Sequence, residues 1–437
     1  MNTAIDPLSC SWNHFSVRST LSLSTRVAAL AAWVKARTAS GLMPFDRRLT
    51  GAPVPWTTLR ERDGEEREGL NFVSSDYLGL ATHPQVKQAA QSAITRFGTH
   101  SAGTGALAGT HRGADELCTG LSRLTHLPHV GLQPSGWAAG YGAIRALIRP
   151  GDTVLIDEQA GSGLLEGARN STQRVHRYRH LDMEHLQRWL QRLRAKDPRG
   201  LILVATPTLF PIDGAAVDLA ALRLVCHAFD ALPLIDVAHD LGCTGPDGTG
   251  EAGLQGLAGQ FDLVVGSLAK TFASTGGFIA TARADLGDYL RAFSPAHAFS
   301  AMLSPGQIAA ASTAVHITRS AEGAARRAAL QRASIALRAA LSQHRLRISG
   351  APGPIVQIVV GNARIARLAT RLCADEGILL TLLEPPVVHP SACALRLQLM
   401  AGHEPALFPE VAQKIASVLA DVTRSSSRAA TSGATLG

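Results

Sequence analysis

The chain has 437 residues, of which 46% are hydrophobic and 17% are charged, and its formal net charge is +8. This composition is typical of a globular protein with enough chain for two or more packed units. The 42 Lys and Arg residues form no long basic block with interleaved aromatic residues, so no nucleic-acid partner is expected.

The cysteines and the hydropathy of the chain indicate the cellular compartment of the protein. The six cysteines are scattered without a CxxC pair, which predicts reduced thiols in a cytoplasmic protein and no metal site. Cys226 and His227 are a lone Cys–His adjacency that core packing explains better than metal ligation. No stretch approaches the ~20 apolar residues of a membrane span. The first residues also lack the basic start and apolar run of a signal peptide.

The predicted elements begin with an N-terminal extension over residues 1–70, which contains one helix near residues 21–37. Over residues 71–304, short apolar runs alternate with amphipathic helices, and the runs are HVGLQPSG, DTVLID, LILVATP, LPLIDVAH and FDLVVGS. This alternation predicts an α/β domain with a mostly parallel sheet flanked by helices. A smaller α+β domain is predicted over residues 305–422, and the Ser/Ala/Gly-rich residues 423–437 are predicted to be a disordered tail.

Polar residues that follow the predicted strands are the candidates for a binding site. In sheets of this kind, ligands bind beyond the carboxyl ends of the strands. The candidates in these positions are Ser135, Gly136, Trp137, Asp157, Asp213, Asp236, His239, Ser267 and Lys270.

Three of these features fit a cofactor that forms an imine with a lysine. Lys270 follows the apolar run FDLVV, where lost hydration disfavours the charged amine and favours imine chemistry. Asp236 follows a buried strand, where its carboxylate needs a cationic partner such as a protonated pyridine nitrogen. The turn at 135–137 links a strand to a helix whose N–H groups suit a phosphate. Ser267 supplies a further hydroxyl donor.

Each feature also has a plainer interpretation. A lysine is most often on the surface, a carboxylate at a strand end is often a helix N-cap, and a single histidine such as His239 is most often part of the core. Order and spacing favour the cofactor, because Asp236 and Lys270 lie 34 residues apart, about one β-α-β unit.

Several blocks of the sequence resemble the α-oxoamine synthases, which are fold-type I enzymes that use pyridoxal 5′-phosphate. The blocks lie in the family's order between about residues 70 and 420, and they read NFVSSDYLGLATHP, GTHSAGTGALAGT, PSGWAAGYGAI, IDVAHDLGCTGPDGTG, GSLAKTFASTGG and LLTLLEPPVVHPSACALRLQLMAGH. Two of them, PSGWAAGYGAI and GSLAKTFASTGG, are most similar in sequence to the corresponding motifs of the quorum-sensing autoinducer synthases. The chain also resembles 8-amino-7-oxononanoate synthase of biotin synthesis.

The resemblance implies that an amino acid condenses with an acyl thioester, on CoA or a carrier protein, with loss of CO2 to give an α-amino ketone. It implies that Lys270 forms the imine and acts as base, that Asp236 pairs with the pyridine nitrogen, and that His239 hydrogen-bonds the ring oxygen. The residues expected around the phosphate or ring are Ser135, Gly136, Trp137 and Ser267.

The resemblance also implies the substrate side of the site. Arg396 in LRLQL would hold the substrate carboxylate through its planar guanidinium, and Thr381 would contact the substrate. The family works as a homodimer with sites at the interface, so Ser300 or its neighbours are expected to reach the cofactor of a second copy.

Four positions depart from the family pattern. Gly161 stands where the family usually has a histidine that stacks on the cofactor and touches the substrate carboxylate. Pro207 and Pro211 stand where an acidic residue and a serine are frequent, and Ala301 stands where a threonine is expected. The cofactor side is therefore expected to be intact, and the substrate side altered at Gly161 and beside it.

Three explanations fit these departures. Trp137 could contact the ring while an unusual substrate fills the space at Gly161, which is the explanation we favour. The enzyme could instead run another imine reaction, such as transamination. The chain could also be a low-activity or non-catalytic subunit of a heterodimer, although such subunits typically lose the lysine that this chain keeps as Lys270.

The leading prediction is a condensing enzyme of secondary or signal metabolism that acts on an amino acid and an acyl thioester. The first alternative is 8-amino-7-oxononanoate synthase. An acidic acyl chain requires a basic residue as its partner. Glu384, just before Pro385-Pro386, is acidic, and this weakens that alternative. The second alternative is the heterodimer subunit.

Overall fold

The structure is a computed structural model that describes residues 6–8, 10–16 and 22–433. Contacts between Cα atoms divide the chain into two compact units. The larger unit covers Ser75–Pro211 and Ala215–Leu330. The smaller unit contains the chain before Ser75, the short segment Ile212–Gly214 and the chain from Gln331 onward.

The described residues form α-helices and β-strands that alternate along most of the chain. The helices are α1 Asn13–Ser16, α2 Leu23–Ala39, α3 Pro84–Phe97, α4 Gly113–Thr125, α5 Gly136–Leu147, α6 Ser162–Arg169, α7 Met183–Lys196, α8 Leu219–Ala228, α9 Gly250–Leu254, α10 Ala284–Phe293, α11 Pro295–Phe299, α12 Pro305–Thr318, α13 Ala321–Gln343, α14 Ala363–Asp375 and α15 Phe408–Gly433. The strands are β1 Arg48–Leu49, β2 Trp56–Arg60, β3 Glu66–Asn71, β4 His129–Gln133, β5 Thr153–Asp157, β6 Val175–Tyr178, β7 Ile202–Pro207, β8 Leu232–Asp236, β9 Leu263–Ser267, β10 Gly277–Thr281, β11 Ile348–Ser349, β12 Ile355–Val359, β13 Ile378–Leu379, β14 Thr381–Leu383 and β15 Ala394–Gln398.

The larger unit is built on a seven-stranded sheet with the order β4-β10-β9-β8-β7-β5-β6. Strands β9, β8, β7, β5 and β6 pair in parallel, whereas β10 is antiparallel to both of its neighbours. Strands β5, β7, β9 and β10 are buried along their whole length, which is typical of strands covered on both faces. The predicted α/β domain with a mostly parallel sheet is confirmed.

Helix α5 packs against the sheet and against α6, and glycines make that approach possible. A Cβ at Gly140 would lie 3.0 Å from Leu164, and one at Gly167 would lie 3.1 Å from the Cα of Tyr141. Alanines of α5, such as Ala139 and Ala143, are fully buried in the same core. The close contact holds the first turns of α5 and α6 side by side at one edge of the sheet.

The boundary between the two units lies later in the chain than the predicted boundary at 304/305. Helix α12 packs against α3 and α4 and therefore belongs to the larger unit. Its buried side chains, which include Ile308 and Val315, lie on more than one side of the helix, so the helix is enclosed by this core. The helical pattern alone does not tell which core encloses α12.

The smaller unit combines the predicted N-terminal extension with the C-terminal part of the chain. Its two four-stranded sheets have the orders β1-β2-β3-β13 and β11-β12-β15-β14. The pairing of Leu70 in β3 with Ile378 in β13 joins the two ends of the chain in one sheet. The second of these sheets, which is wholly antiparallel, lies in the predicted C-terminal α+β domain.

The last helix differs from the prediction of a disordered tail over residues 423–437. Helix α15 continues through residue 433, because neither Gly nor Pro interrupts residues 410–432 and their Ala, Ser and Arg residues permit a helix. Residues 434–437 lie outside the described residues.

The described residues include free thiols, most of them buried. Cys118, Cys226, Cys243, Cys373 and Cys393 are free thiols, and all of them except Cys118 are buried. In the described ranges, no helix is both long enough and apolar enough to cross a membrane.

Candidate active site

The candidate site is a cavity of about 170 Å³ in the larger unit, at the carboxyl ends of the parallel strands. Strands β7, β8 and β9 end at Pro207, Asp236 and Ser267, and all three of these residues line the cavity. The wall also contains Lys270 and His239. The structure therefore brings together polar residues that follow different strands, at the edge where the sequence predicts a site.

Lys270 and Asp236 follow neighbouring parallel strands and line the same cavity. The Asp236 carboxylate accepts a hydrogen bond of 3.0 Å from the backbone N–H of Ala238. Burial raises the pKa of the Asp236 carboxyl, and the positive charge of Lys270 and the Ala238 hydrogen bond only partly offset that rise. A further cation at Asp236 would therefore be stabilised by this carboxylate.

His239 is oriented by a buried tyrosine from the first block of the family resemblance. The hydroxyl of Tyr77 lies 2.7 Å from Nδ1 of His239. Tyr77 is fully buried, so its hydroxyl is a fixed partner for the imidazole ring. The hydrogen bond holds His239 in the cavity wall.

The turn at Ser135, Gly136 and Trp137 starts helix α5 at the cavity. Ser135 is the N-cap, and its side chain accepts a hydrogen bond of 3.1 Å from the N–H of Ala138. A Cβ at Gly136 would lie 2.5 Å from Cβ of Ser267, so only glycine lets the turn approach that close. The first N–H groups of a helix have no partner within the helix, and they attract anions.

The cavity wall around Gly161 is open and includes two prolines. Gly161 is the N-cap of α6, and a Cβ built on it meets no atom within 4 Å. Pro207 and Pro211 line the same cavity and offer no backbone N–H donor. The half-exposed indole of Trp137 stacks on Tyr141, with ring centroids 5.0 Å apart.

These residues fit pyridoxal phosphate. The turn that only glycine permits makes a cradle for an anion beside Ser267. The partly buried carboxyl of Asp236, with its raised pKa, suits a protonated ring nitrogen. Lys270 supplies the amine in the same wall.

The predicted substrate residues Thr381 and Arg396 lie together in the smaller unit. They are direct partners in the antiparallel pairing of β14 and β15. Ser300 and Ala301 follow α11 in the larger unit, where Ala301 forms an isolated β-bridge with Thr104.

The other strand-end candidates lie outside this cavity. The Asp157 carboxylate lies 3.0 Å from Nδ1 of His180 and accepts a hydrogen bond of 3.0 Å from the N–H of Leu181. Asp213 belongs to the short segment assigned to the smaller unit.

Sequence reasoning missed three residues that hold the site. Tyr77 positions His239, and Thr208 contacts both the backbone of Asp236 and the carboxylate of Asp240. Asp240 could have been noticed, because it follows Asp236 by four residues in IDVAHD. Thr208 follows a different strand and could be connected to them only through the fold.

The chain is similar in sequence to a known protein family and to known enzymes. The family model for aminotransferase class I and II matches residues 67–415. An 8-amino-7-oxononanoate synthase from Methylobacterium sp. (strain 4-46) is 34% identical over 400 residues, which cover 91% of this chain and 98% of that protein. The protein of the same name from Salmonella typhimurium is 34% identical, over 77% of this chain and 86% of its own length.

Solved structures show the same fold. A serine palmitoyltransferase variant from S. paucimobilis, solved with a PLP–myriocin aldimine bound, gives a TM-score of 0.85 at 24% identity, over 92% of this chain and 100% of that chain. The 8-amino-7-oxononanoate synthase from Francisella tularensis gives a TM-score of 0.69 at 20% identity, over 80% of this chain and 97% of that chain.

Proposed function

Because this chain belongs to the aminotransferase class I and II family and, within it, to the pyridoxal-phosphate-dependent α-oxoamine synthases, we propose that it condenses an amino acid with an acyl thioester. The proposed products are CO2, a free thiol and an α-amino ketone. The observation that carries the proposal is that Lys270 and the partly buried Asp236 line one cavity beside the turn at Gly136. The family resemblance predicted from the sequence is confirmed by the comparisons.

The proposed cofactor is held by residues of the larger unit. When bound, pyridoxal phosphate supplies an electron sink that stabilises negative charge at the α-carbon of an amino acid. Lys270 is the proposed attachment point and moves the proton of that α-carbon. Asp236 keeps a proton on the ring nitrogen, and His239, fixed by Tyr77, hydrogen-bonds the ring oxygen. Ser135, Gly136, Trp137 and Ser267 are the proposed phosphate and ring contacts.

Thr381 and Arg396 remain the proposed contacts to the amino-acid substrate. Their pairing in one sheet places a guanidinium and a hydroxyl at the same register position. A guanidinium binds a carboxylate through two parallel hydrogen bonds and so fixes its orientation. In this proposal the carboxylate held by Arg396 is the one released as CO2.

The open wall at Gly161 leaves space for part of the substrate. The absence of any atom within 4 Å of a Cβ there leaves room that a histidine would fill. Because Pro207 and Pro211 offer no N–H donors, we propose that the group in this space is apolar. This supports the predicted role of Gly161 as a substrate-contacting position.

The 8-amino-7-oxononanoate synthase alternative gains support from the structure around Glu384. Glu384 is buried and accepts hydrogen bonds from Nη1 of Arg37 at 2.9 Å and Nε of Arg367 at 2.6 Å. A carboxylate neutralised by two arginines does not repel an acidic acyl chain, so Glu384 does not count against this alternative. Growth of a biotin-requiring strain that carries this chain would favour the alternative.

A homodimer remains the proposed assembly, and the heterodimer subunit remains its competitor. Leu107 is 83% exposed and Phe299 is 87% exposed, and the bridge between Thr104 and Ala301 joins the segments that carry them. Large exposed apolar side chains that lie in neighbouring segments mark a surface for another protein. Co-purification with a catalytic relative, and failure to bind the cofactor alone, would favour the heterodimer. A cytoplasmic location is proposed because Cys118, Cys226, Cys243, Cys373 and Cys393 are free thiols.

The test of the proposed function uses purified protein, pyridoxal phosphate, a panel of amino acids and acyl thioesters on CoA or carrier protein. We expect one amino acid and one thioester to release CO2 and free thiol in equal amounts. Release of neither product from any pair contradicts the condensation. Formation of a keto acid from the amino acid, without thiol release, would favour transamination.

A further inference from the structure

A second carboxyl group, that of Asp240, is buried near Asp236. Asp240 is fully buried, and its Oδ1 accepts a hydrogen bond of 2.7 Å from the Thr208 hydroxyl. Its Oδ2 accepts a hydrogen bond of 2.8 Å from the backbone N–H of Glu251. Asp240 does not line the cavity of the candidate site, so it has no part in the function proposed above.

Thr208 connects this carboxyl group to the candidate site. Its backbone N–H and its hydroxyl lie 3.0 Å and 3.1 Å from the backbone carbonyl oxygen of Asp236. The same hydroxyl lies 2.7 Å from Asp240, so one side chain joins the two acidic residues. A change at Asp240 therefore reaches the end of β8, where Asp236 lies.

The loop after Asp240 is built around its carboxylate. Gly250 has a φ of +71°, and a Cβ on it would lie 2.5 Å from Oδ2 of Asp240. The backbone carbonyl of Asp240 accepts hydrogen bonds from the N–H and the hydroxyl of Thr244 at 3.0 and 3.2 Å. These contacts fix the carboxylate in one place and orientation.

The groups around Asp240 are mostly acidic. Asp236 faces it from the end of β8, Glu251 from α9 and the Cys243 thiol from the same turn, while Arg327 of α13 interacts with Cys243 and Asp247. Burial raises the pKa of Asp240 to about 6, and the negative charge of Asp236 adds to the rise. Burial and Asp240 together raise the pKa of Glu251 to about 7.

We propose that Asp240, acting through Thr208, is a positioning residue that holds Asp236 in place and keeps positive charge favourable at the cofactor site. This inference rests on the proposed function, because it concerns the cation that Asp236 would face. Ionised Asp240 adds a second negative charge near Asp236. A nearby negative charge raises the pKa of a cationic group, so removing it lowers that pKa.

The experiment compares wild-type protein with Asp240→Asn, Thr208→Val and Thr208→Ser. Each dialysed protein is titrated with pyridoxal phosphate to obtain the dissociation constant, and the visible absorbance of the loaded protein is then followed against pH. Asp262→Asn is the matched control, because Asp262 is an exposed carboxylate of the same unit.

We expect Asp240→Asn to lower the pH midpoint of the absorbance change by about half a unit or more. We expect Asp240→Asn and Thr208→Val to weaken cofactor binding about three- to tenfold, because Asp236 loses its support. Thr208→Ser keeps the hydroxyl and Asp262→Asn leaves the buried group intact, so both should behave as wild type.

Wild-type midpoints and dissociation constants in both Asp240→Asn and Thr208→Val would overturn the inference while leaving the proposed function intact. If Asp240→Asn does not fold, the comparison of Thr208→Val with Thr208→Ser tests the inference. Equal dissociation constants for pyridoxal phosphate in these two variants would then overturn it. A wild-type protein that binds no pyridoxal phosphate would overturn the proposed function and this inference together.

Discussion

Two glycine-to-alanine substitutions in the wall of one cavity should differ in their consequences, with a clear loss of cofactor binding at Gly136 and almost none at Gly161. At Gly136, a Cβ would lie 2.5 Å from Cβ of Ser267, whereas at Gly161 a Cβ meets no atom within 4 Å. The chemical change is the same methyl group in both variants. The difference between them therefore isolates the close approach of the turn to Ser267.

The magnitudes follow from these contacts. Ordinary Cβ contacts begin at 3.4 Å, so Gly136→Ala must move the turn or Ser267 by about 0.9 Å. Overpacking of this kind costs about 1–3 kcal/mol. Because a displaced turn no longer presents its N–H groups to the phosphate in the same geometry, we expect pyridoxal phosphate to bind about tenfold more weakly, which corresponds to about 1.4 kcal/mol.

Gly161→Ala should be nearly neutral. Its φ of −62° and ψ of 155° suit alanine, which lowers the entropy of the unfolded chain. Alanine is a poorer N-cap than glycine, and this opposes the gain. We expect the free energy of unfolding and the cofactor dissociation constant to stay within about 0.5 kcal/mol of wild type.

The assay is a titration of each dialysed protein with pyridoxal phosphate, together with urea unfolding of the same samples. Equal dissociation constants for the two variants would refute the argument that the turn at Gly136 cradles the phosphate. Weaker binding in Gly161→Ala than in Gly136→Ala would refute the assignment of the open wall.

Three further variants, one of them a double substitution, test other parts of the proposal. Glu384→Gln leaves Arg37 and Arg367 buried without their carboxylate, so urea unfolding should show a loss of about 3–5 kcal/mol, and a loss below about 1 kcal/mol would contradict this. Tyr77→Phe removes the hydrogen bond to His239, and we expect about 1 kcal/mol weaker cofactor binding in the same titration, whereas unchanged binding would show that His239 needs no such support. Replacing both Leu107 and Phe299 with serine should shift sedimentation from dimer to monomer, and an unchanged dimer would assign the interface to another surface.

The sheet of the larger unit could be predicted because most of its strands are apolar, and β5, β7, β9 and β10 are buried along their whole length. Such strands read as short continuous apolar runs, and runs such as LPLID and FDLVVGS end at polar residues. Parallel strands bring their carboxyl ends to one edge, so Asp236, Ser267 and Lys270 could be assigned to one site before the fold was known.

Other features depend on contacts that a single stretch of sequence does not contain. Helix α12 joins the larger unit because α3 and α4 cover it, which moves the boundary beyond residue 304. In the sequence Glu384 is an acidic residue just before Pro385-Pro386, whereas in the structure Arg37 and Arg367 bind its carboxylate. Thr208 and Asp240 are 32 residues apart, and only the pairing of β7 with β8 brings them together.

The visible spectrum of the loaded protein, compared with Lys270→Ala, tests the central claim most directly. We predict a band near ~420 nm in the wild type that dialysis does not remove, that Lys270→Ala loses and that the exposed-lysine control Lys87→Ala keeps. The same band in Lys270→Ala, or no band in the wild type at saturating pyridoxal phosphate, would contradict the assignment of Lys270.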